Sequence, residues 1–374
     1  MPYLDRPDIP APLLAALKSD SYEESLDSHF DNLPEETKKK FKYTISVTTL
    51  ARSPRQRILF NRHRNEIMID PIDRFWAILG RTVHSILDDR KLPHQVIRDR
   101  TGVVIPVVLK KADPKTGRAG MKVDVYLHGE IDLYDPIAES IEDWKFTKAE
   151  SMLYNKEDHE AQLNVLAFIW NKAGKKVKKI GNTYLFRNWE ARFVKEGNAY
   201  PKERIYVKDI PLWPEERTLE YITRRLHAHF INEGFDDDDI AHCTDAERWV
   251  RDPSYKVYKM DEVKVTESEL EKVILLPQKM AKFTAESMIE AEDKIEELKA
   301  EEWRKALEKN NALKKPKPEE DLKKAEYMVK EIKAEPVRCS YCEVREICSQ
   351  RRDELIDLAN SQGPQSTESE MPTE

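Results

Sequence analysis

The sequence predicts an α/β (α+β) chain, with a mixed β-sheet flanked by helices, then a helical C-terminal extension and a compact cysteine motif. Three observations carry this reading. Between residues 44 and 235, stretches of alternating apolar and polar residues interleave with stretches of helical periodicity, in the order α-β-β-β-α-β. Residues 279–335 become rich in Glu, Lys and Ala, with few aromatics. Three of the four cysteines crowd together at 339, 342 and 348.

Each element has its own signal. Residues 1–43 are polar and mixed, and read as an N-terminal helical segment. From 44 a β-prone stretch gives way to a basic helix, with Pro54 in its first turn and Ser53 as its N-cap. Residues 72–90 read as an amphipathic helix through Phe75, Leu79, Val83, Ile86 and Leu87. A strand follows at 103–109, where Pro106 points to an edge or a bulge. DPKTGRAG at 113–120 is a turn. Alternation returns over 121–135, with Gly129 as a candidate bulge, and a second strand covers 139–147. A helix at 157–172, strands at 180–187 and 203–210 and a helix at about 214–232 complete a core over 44–235. Residues 236–278 read as a linker carrying Cys243. Residues 279–335 read as a charged helical hairpin or arm turning at KKPKPEED, with a solvated spacer as the plainer alternative. The cysteine motif spans 336–352, and 353–374 reads as a disordered acidic tail.

Composition excludes several classes. At 374 residues the chain suits two domains, or one large domain with insertions. Gly is scarce at 10 residues, and neither G-x-G-x-x-G nor G-x-x-x-x-G-K-[ST] occurs, which argues against a Gly-rich phosphate cradle. The net charge of −7 comes almost entirely from the acidic residues of 353–374, so the body is near neutral and any basic surface must be local. No apolar run is long enough for a membrane span, and the N-terminus lacks a secretory pattern. The expectation is a cytoplasmic protein whose cysteines stay reduced or bind metal.

The most informative segment is 129–147, GEIDLYDPIAESIEDWKFT. Asp143 and Lys145 stand two apart on a strand and so share a face, and hairpin pairing brings Asp132 toward them. Two carboxylates on one face make a poor core but a good site for Mg²⁺ or Mn²⁺, which take hard oxygen ligands and substrate phosphate oxygens. A neighbouring lysine can orient an attacking water or neutralise charge on a phosphorane. D-x-K alone also describes an exposed salt-bridged hairpin. The order of the elements raises it, because a helix with His84 precedes the hairpin and a helix with Gln162 follows it.

In this order the sequence resembles the PD-(D/E)xK nuclease superfamily, in the RecB-like branch that includes AddB and the CRISPR-associated exonucleases. The matching residues are Gly80-Arg81-Thr82-Val83-His84, then Gly129-Glu130-Ile131-Asp132, then Asp143-Trp144-Lys145, and in part Gln162-Leu163-Asn164-Val165-Leu166. The last departs from Q-x-x-x-Y at Leu166. The match covers about residues 44–190 and the terminal cysteines. The resemblance implies a restriction-endonuclease-like core. It implies His84, Asp132 and Asp143 as metal ligands, Lys145 as the catalytic lysine, and Gln162 as a residue that positions substrate or Lys145.

Cys339-x₂-Cys342-x₅-Cys348 can place three thiolates around one centre, with Cys243 as the fourth and His242 as a weaker alternative. Four thiolates suit a [4Fe–4S] cluster or tetrahedral Zn²⁺, and the spacing does not choose between them. The same C-x₂-C-x₅-C follows the core in the iron–sulfur nucleases of this resemblance, where the lone cysteine precedes the core instead. Arg52, Arg55, Arg57 and Arg62 are candidates to line a DNA-binding groove, with Ser53-Pro54-Arg55 suited to a phosphate at a helix N-terminus. Tyr43, Phe60, Trp76 and Trp144 are candidates to stack on bases, with core packing preferred for Trp76.

The resulting expectation is a metal-dependent DNA nuclease, an exonuclease on single strands or ends serving recombination, repair or replication. A helicase, recombinase or single-strand-binding protein would be its partner, and a bacterial virus or its host suits the combination. The alternatives are a non-catalytic DNA-binding or scaffolding subunit and a zinc-stapled adaptor.

Overall fold

The computed structural model describes residues 3–18, 36, 43–110, 121–153, 157–194, 200–267, 270–278 and 281–361. The chain forms two compact units. One comprises residues 1–248 and 338–374, and the other, residues 249–337, is inserted into it.

The larger unit is mixed α and β. Helix α1 (Ala11–Lys18) comes first, then strand β1 (Tyr43–Ser46) leads into α2 (Val47–Ala51) and α3 (Pro54–Arg62). The Ser46 hydroxyl caps α2 by accepting from Thr49 N–H at 3.1 Å. Pro54 opens α3, where its missing N–H costs nothing. Ser53 takes the N-cap position without a side-chain cap bond. A 3₁₀ turn at Pro71–Arg74, capped by Asp70, feeds α4 (Phe75–Asp88). Strands β2 (Val96–Ile97), β3 (Arg100–Lys110), β4 (Met121–Glu130), β5 (Leu133–Asp135) and β6 (Ser140–Thr147) follow. Next come α5 (Glu157–Lys172), β7 (Lys179–Phe186), β8 (Ile205–Ile210), α6 (Glu215–Ile231) and the short α7 (Asp245–Arg248). The expected turn at 113–120 lies outside the described residues.

Two sheets carry the core. One has the order β1-β4-β3, with β1 parallel and β3 antiparallel to β4. The other has the order β2-β5-β6-β7-β8, in which only β6 and β7 run parallel. Pro106 sits on the edge strand β3, where a missing ladder donor is tolerated. Helix α5 is buried through a run from Leu163 to Trp170, because it packs on both sheets and on α6. Its acidic first turn and Lys172 in its last complement the helix dipole.

Gly129 is not a bulge. It pairs regularly with Thr101, and the register shift of this ladder lies at Val108/Lys110. A Cβ on Gly129 would stand 2.5 Å from Leu166 Cδ2 and 3.1 Å from Val47 Cγ2, so its role is to let α5 approach the sheet. Leu166 fills the space over that glycine.

The arginines expected to bind DNA are engaged within the fold. Arg55 is 1% exposed and donates to Ile240 O (2.5 Å) and Ser349 Oγ (2.6 Å). Arg57 donates to His229 Nδ1 and O and to Glu233. Arg62 binds Asp237 and the carbonyls of Glu233 and Phe235. Arg52 lies 3.9 Å from Glu343. A guanidinium satisfies carbonyls and carboxylates as readily as phosphates, and here α3 uses its basic face to hold residues 229–240 and the C-terminal segment. Ser53 is likewise buried.

In the inserted unit the chain passes through β9 (Val250–Arg251), β10 (Ser254–Glu267), β11 (Leu270–Pro277) and β12 (Phe283–Ala285). It continues through α8 (Met288–Asn311), β13 (Tyr327–Ile332) and β14 (Glu335–Pro336). The expected linker at 236–278 is therefore largely strand, and the expected helical hairpin at 279–335 is one helix followed by a strand. Pro316 and Pro318 prevent helix from resuming, and Tyr327 and Val329 instead pack with Val257, Ala285 and Ala291 in a small core under α8. β10 pairs with β11, β12 and β13, and β9 pairs with β14, so the two ends of the insertion meet. The chain then returns to the larger unit and ends its described part in α9 (Ser349–Ser361). The expected acidic tail is thus helical over its first residues, and 362–374 lie outside the described residues. Among the described residues no helix is long and apolar enough to cross a membrane.

Two predictions follow from this packing. Gly129→Ala should lower stability by about 1–3 kcal/mol through overpacking against Leu166, read as a reduced urea midpoint. An unchanged midpoint would show that the approach is slack. The second concerns His229, which is wholly buried, accepts from Arg57 Nε at Nδ1 (3.1 Å) and faces Leu50 O through Nε2 (3.2 Å). Burial, followed by the charges of Arg57 and Arg225, holds its pKa well below the usual value. A depressed folded pKa contributes stability that is complete above the unfolded value of about 6.5 and is lost as pH falls toward the folded one. The urea midpoint should therefore drop between pH 7.5 and 5.5, and drop less in His229→Gln. An equal drop in both proteins would assign the acid sensitivity elsewhere.

Candidate active site

Four segments of the larger unit converge on the carboxylates. Antiparallel pairing sets Leu133 opposite Glu142, and one further step of that register brings Asp132 opposite Asp143. The preceding Ile131 is fully buried and donates its N–H to Asp99 O, which fixes where Asp132 emerges. Asp132 Oδ2 accepts from Trp144 N–H at 2.7 Å, and Oδ1 stands 3.2 Å from His84 Nδ1 on α4. The His84 ring meets the Trp144 ring edge-on, with centroids 5.8 Å apart. One carboxylate thus clips helix α4 to strand β6.

Asp143 and Lys145 share a face of β6, as their spacing requires. Lys145 Nζ lies 2.7 Å from Asp143 Oδ2 and donates to Gln162 Oε1 at 3.2 Å. The approach to Asp143 Oδ2 is off the hydrogen-bonding direction, so this oxygen is buried with a charge beside it but no directed donor. Gln162 Nε2 reaches Thr48 Oγ1 at 3.4 Å, which ties the α5 amide to α2. The structure therefore brings together His84, Asp132, Asp143, Lys145 and Gln162.

Their electrostatics are coupled. Burial pushes the Asp143 carboxyl up, Lys145 opposes this, and the Asp132 charge adds to it. Burial pulls Lys145 down, but the Asp143 carboxylate together with the charges of Asp132 and Asp158 outweighs it, so its pKa is raised and the ammonium stays protonated. The hydrogen bond to Asp132 raises His84 against its partial burial.

Sequence reasoning missed Asn182. It pairs with Asp143 across β6 and β7 and is fully buried, with no directed hydrogen bond on either side-chain atom. An amide within a strand gives no periodic signal, and only the parallel register places it beside the carboxylate. Tyr184, two residues on, pairs with Lys145 and lies within 3.3 Å of His159 Nδ1. Burial, then the Asp143 charge, pushes its phenol up to about 12.

The donor set fits Mg²⁺ or Mn²⁺. It offers two carboxylates and an imidazole, and it includes a buried carboxylate oxygen without a directed donor whose like-charged neighbour a dication would offset. As described, the same atoms face one another in pairs, and no group of three or more His, Cys, Asp or Glu among the described residues is drawn into a closed cage.

The four cysteines are near one another in the same unit. Cys342 and Cys348 pack against a small core of Ile58, Leu59, Phe60, Ile67, Ile240 and Val344. Gln350 grips Cys243 by accepting from its N–H (2.9 Å) and donating to its carbonyl (3.1 Å), and the Cys243 thiol donates to Ser53 Oγ at 3.0 Å. Burial first, and then neighbouring groups that include other cysteines, pushes Cys243 up to about 11 and Cys342 up to about 12. Softness and number of donors fit a thiolate centre, although no three are closed to ligating distance.

The aromatics divide differently from expectation. Phe60 and Trp144 are buried, and Tyr43 packs edge-on against Phe230. Trp76, expected in the core, is 48% exposed. Its helix packs through a narrow contact with β6 and leaves the indole outside.

No family model matches the chain, and no curated protein matches it. A solved structure titled "Crystal structure of SSO0001" is 18% identical, covers 57% of this chain and 83% of its own, and superposes with a TM-score of 0.35.

Asn182→Val is expected to keep or raise the urea midpoint, because replacing an amide without hydrogen bonds by an apolar residue of similar size removes a desolvation cost. A loss above about 1 kcal/mol would mean that the fold itself requires the amide.

Proposed function

We propose that this chain is a divalent-metal-dependent DNA nuclease of the PD-(D/E)xK type, with a restriction-endonuclease-like core, acting as an exonuclease on single strands or ends. One observation carries the reading: Lys145 is held between Asp143 and Gln162 while Asp132 joins His84 to the same strand, so residues from four separate segments meet. DNA recombination, repair or replication would be its setting, alongside an unwinding or strand-binding partner.

In this reading His84, Asp132 and Asp143 would hold Mg²⁺ or Mn²⁺. The ion supplies Lewis-acid polarisation of the phosphodiester and a lowered pKa for water. The chain's own residues do the rest. Asp143 keeps Lys145 charged, so the ammonium is available to orient a water or to neutralise charge on the pentavalent phosphate. Gln162 restricts where that ammonium points. The Trp144 N–H ties the Asp132 carboxylate to β6. The four cysteines would hold a [4Fe–4S] cluster, or Zn²⁺, as a structural staple, since phosphodiester hydrolysis transfers no electrons.

The test is cleavage of end-labelled single- and double-stranded DNA by anaerobically purified protein with Mg²⁺ or Mn²⁺. Lys145→Ala and Asp143→Ala should each reduce cleavage at least about 100-fold while the iron, zinc and sulfide content is unchanged. Wild-type rates in both variants would overturn the proposal.

A further inference from the structure

Beside the carboxylates, α4 carries an open stripe. Trp76, Gly80 and His84 recur every four residues and so lie along one side of the helix. Trp76 and His84 are about 12 Å apart along its axis. At Gly80 a Cβ would meet nothing within 4 Å, so no side chain interrupts the stripe. At its far end the Arg187 guanidinium lies 3.5 Å from the centre of the Trp76 ring, and Phe75 meets that ring edge-on at 5.2 Å. Arg187 follows directly after β7, and its N–H donates to Thr147 O, two residues beyond Lys145 on β6. Among the described residues no carboxylate closes an ion pair with it, although the Glu150 charge lies within electrostatic reach. Tyr341, 69% exposed, lies within electrostatic reach of the same guanidinium.

We infer that Trp76 and Arg187 form a stacking platform for the bases of single-stranded DNA, leading the strand along the Gly80 stripe to the carboxylates. This rests on the nuclease reading and deepens it by naming the residues that would hold the single strand. An indole left half exposed beneath a guanidinium offers bases a flat, polarisable surface, and the guanidinium adds a positive charge for the phosphate backbone. Duplex bases are already stacked on one another and cannot use such a surface without unpairing. The platform therefore favours single strands, and its continuity with His84 gives the bound strand a direction.

The test separates binding from cleavage. Labelled oligothymidylate, an abasic strand of equal length and a blunt duplex are titrated against the full chain in EDTA. Trp76→Ala should weaken oligothymidylate binding about tenfold, within what one base–aromatic stack contributes, and leave the abasic strand unchanged. Arg187→Ala should weaken both strands. A Trp76→Ala protein that binds oligothymidylate like wild type, or loses as much affinity for the abasic strand, would overturn the platform. So would a wild-type protein that prefers the duplex. A wild-type protein that binds oligothymidylate in this pattern but cuts nothing with Mg²⁺ or Mn²⁺ would sink the nuclease reading and leave the platform standing.

Discussion

Asp132, partly exposed, and the buried Asp143 meet at the end of a strand pair, and two negative charges so close together require compensation. Most of the local architecture supplies it. Asp132 is met by a backbone N–H and an imidazole, and Asp143 by an ammonium that a distant glutamine also holds. These partners come from α4, β6 and α5, so the carboxylate pair fixes how two helices sit on the sheet. A protein selected for stability alone would fill this place with apolar side chains, since replacing buried charges in that way is often neutral or stabilising. The arrangement is thus not the one that packing alone would select, and Asn182 beside it, buried without directed hydrogen bonds, is a second such departure.

The central hairpin and its flanking helices were legible because their signals are local. Two-residue alternation fixes the face of Asp143 and Lys145, and helical spacing fixes α4 and α5. What escaped depends on contacts between distant segments. Arg55 reads as surface charge until Ile240 and Ser349 are seen around it. Gly129 reads as a bulge until Leu166 is found 2.5 Å from its missing Cβ. Residues 327–332 lie among lysines and glutamates, and only pairing with β10 makes them a strand. Trp76 departs in the opposite direction, because a tryptophan on an amphipathic helix is ordinarily core, and nothing local announces that it will stay half exposed with Arg187 stacked on one side.

The inserted unit explains why the cysteine motif lies so far from Cys243 in sequence. The chain leaves the larger unit after Arg248 and re-enters at Arg338, and the β9–β14 pair brings the two ends of the excursion together. Cys243 and Cys339 thus belong to one neighbourhood separated by a detour, and C-x₂-C-x₅-C with a remote fourth cysteine is what such an insertion produces.

That segment has its own attachments. Arg55 bonds Ser349, Gln350 brackets Cys243, Gln56 donates to Glu343 at 2.5 Å, and Arg248 pairs with Glu354. These bonds lie around the thiols, and Cys342 and Cys348 pack, partly buried, against the small core that includes Ile58 and Phe60. Burial is what raises the Cys342 thiol to about 12, so the apolar contacts that hold the segment also keep that sulfur protonated in the absence of a cation. A cation at this place would work against that protonation and in favour of the same docking. Arginine, glutamine and apolar packing thus already define this interface without help from the thiols.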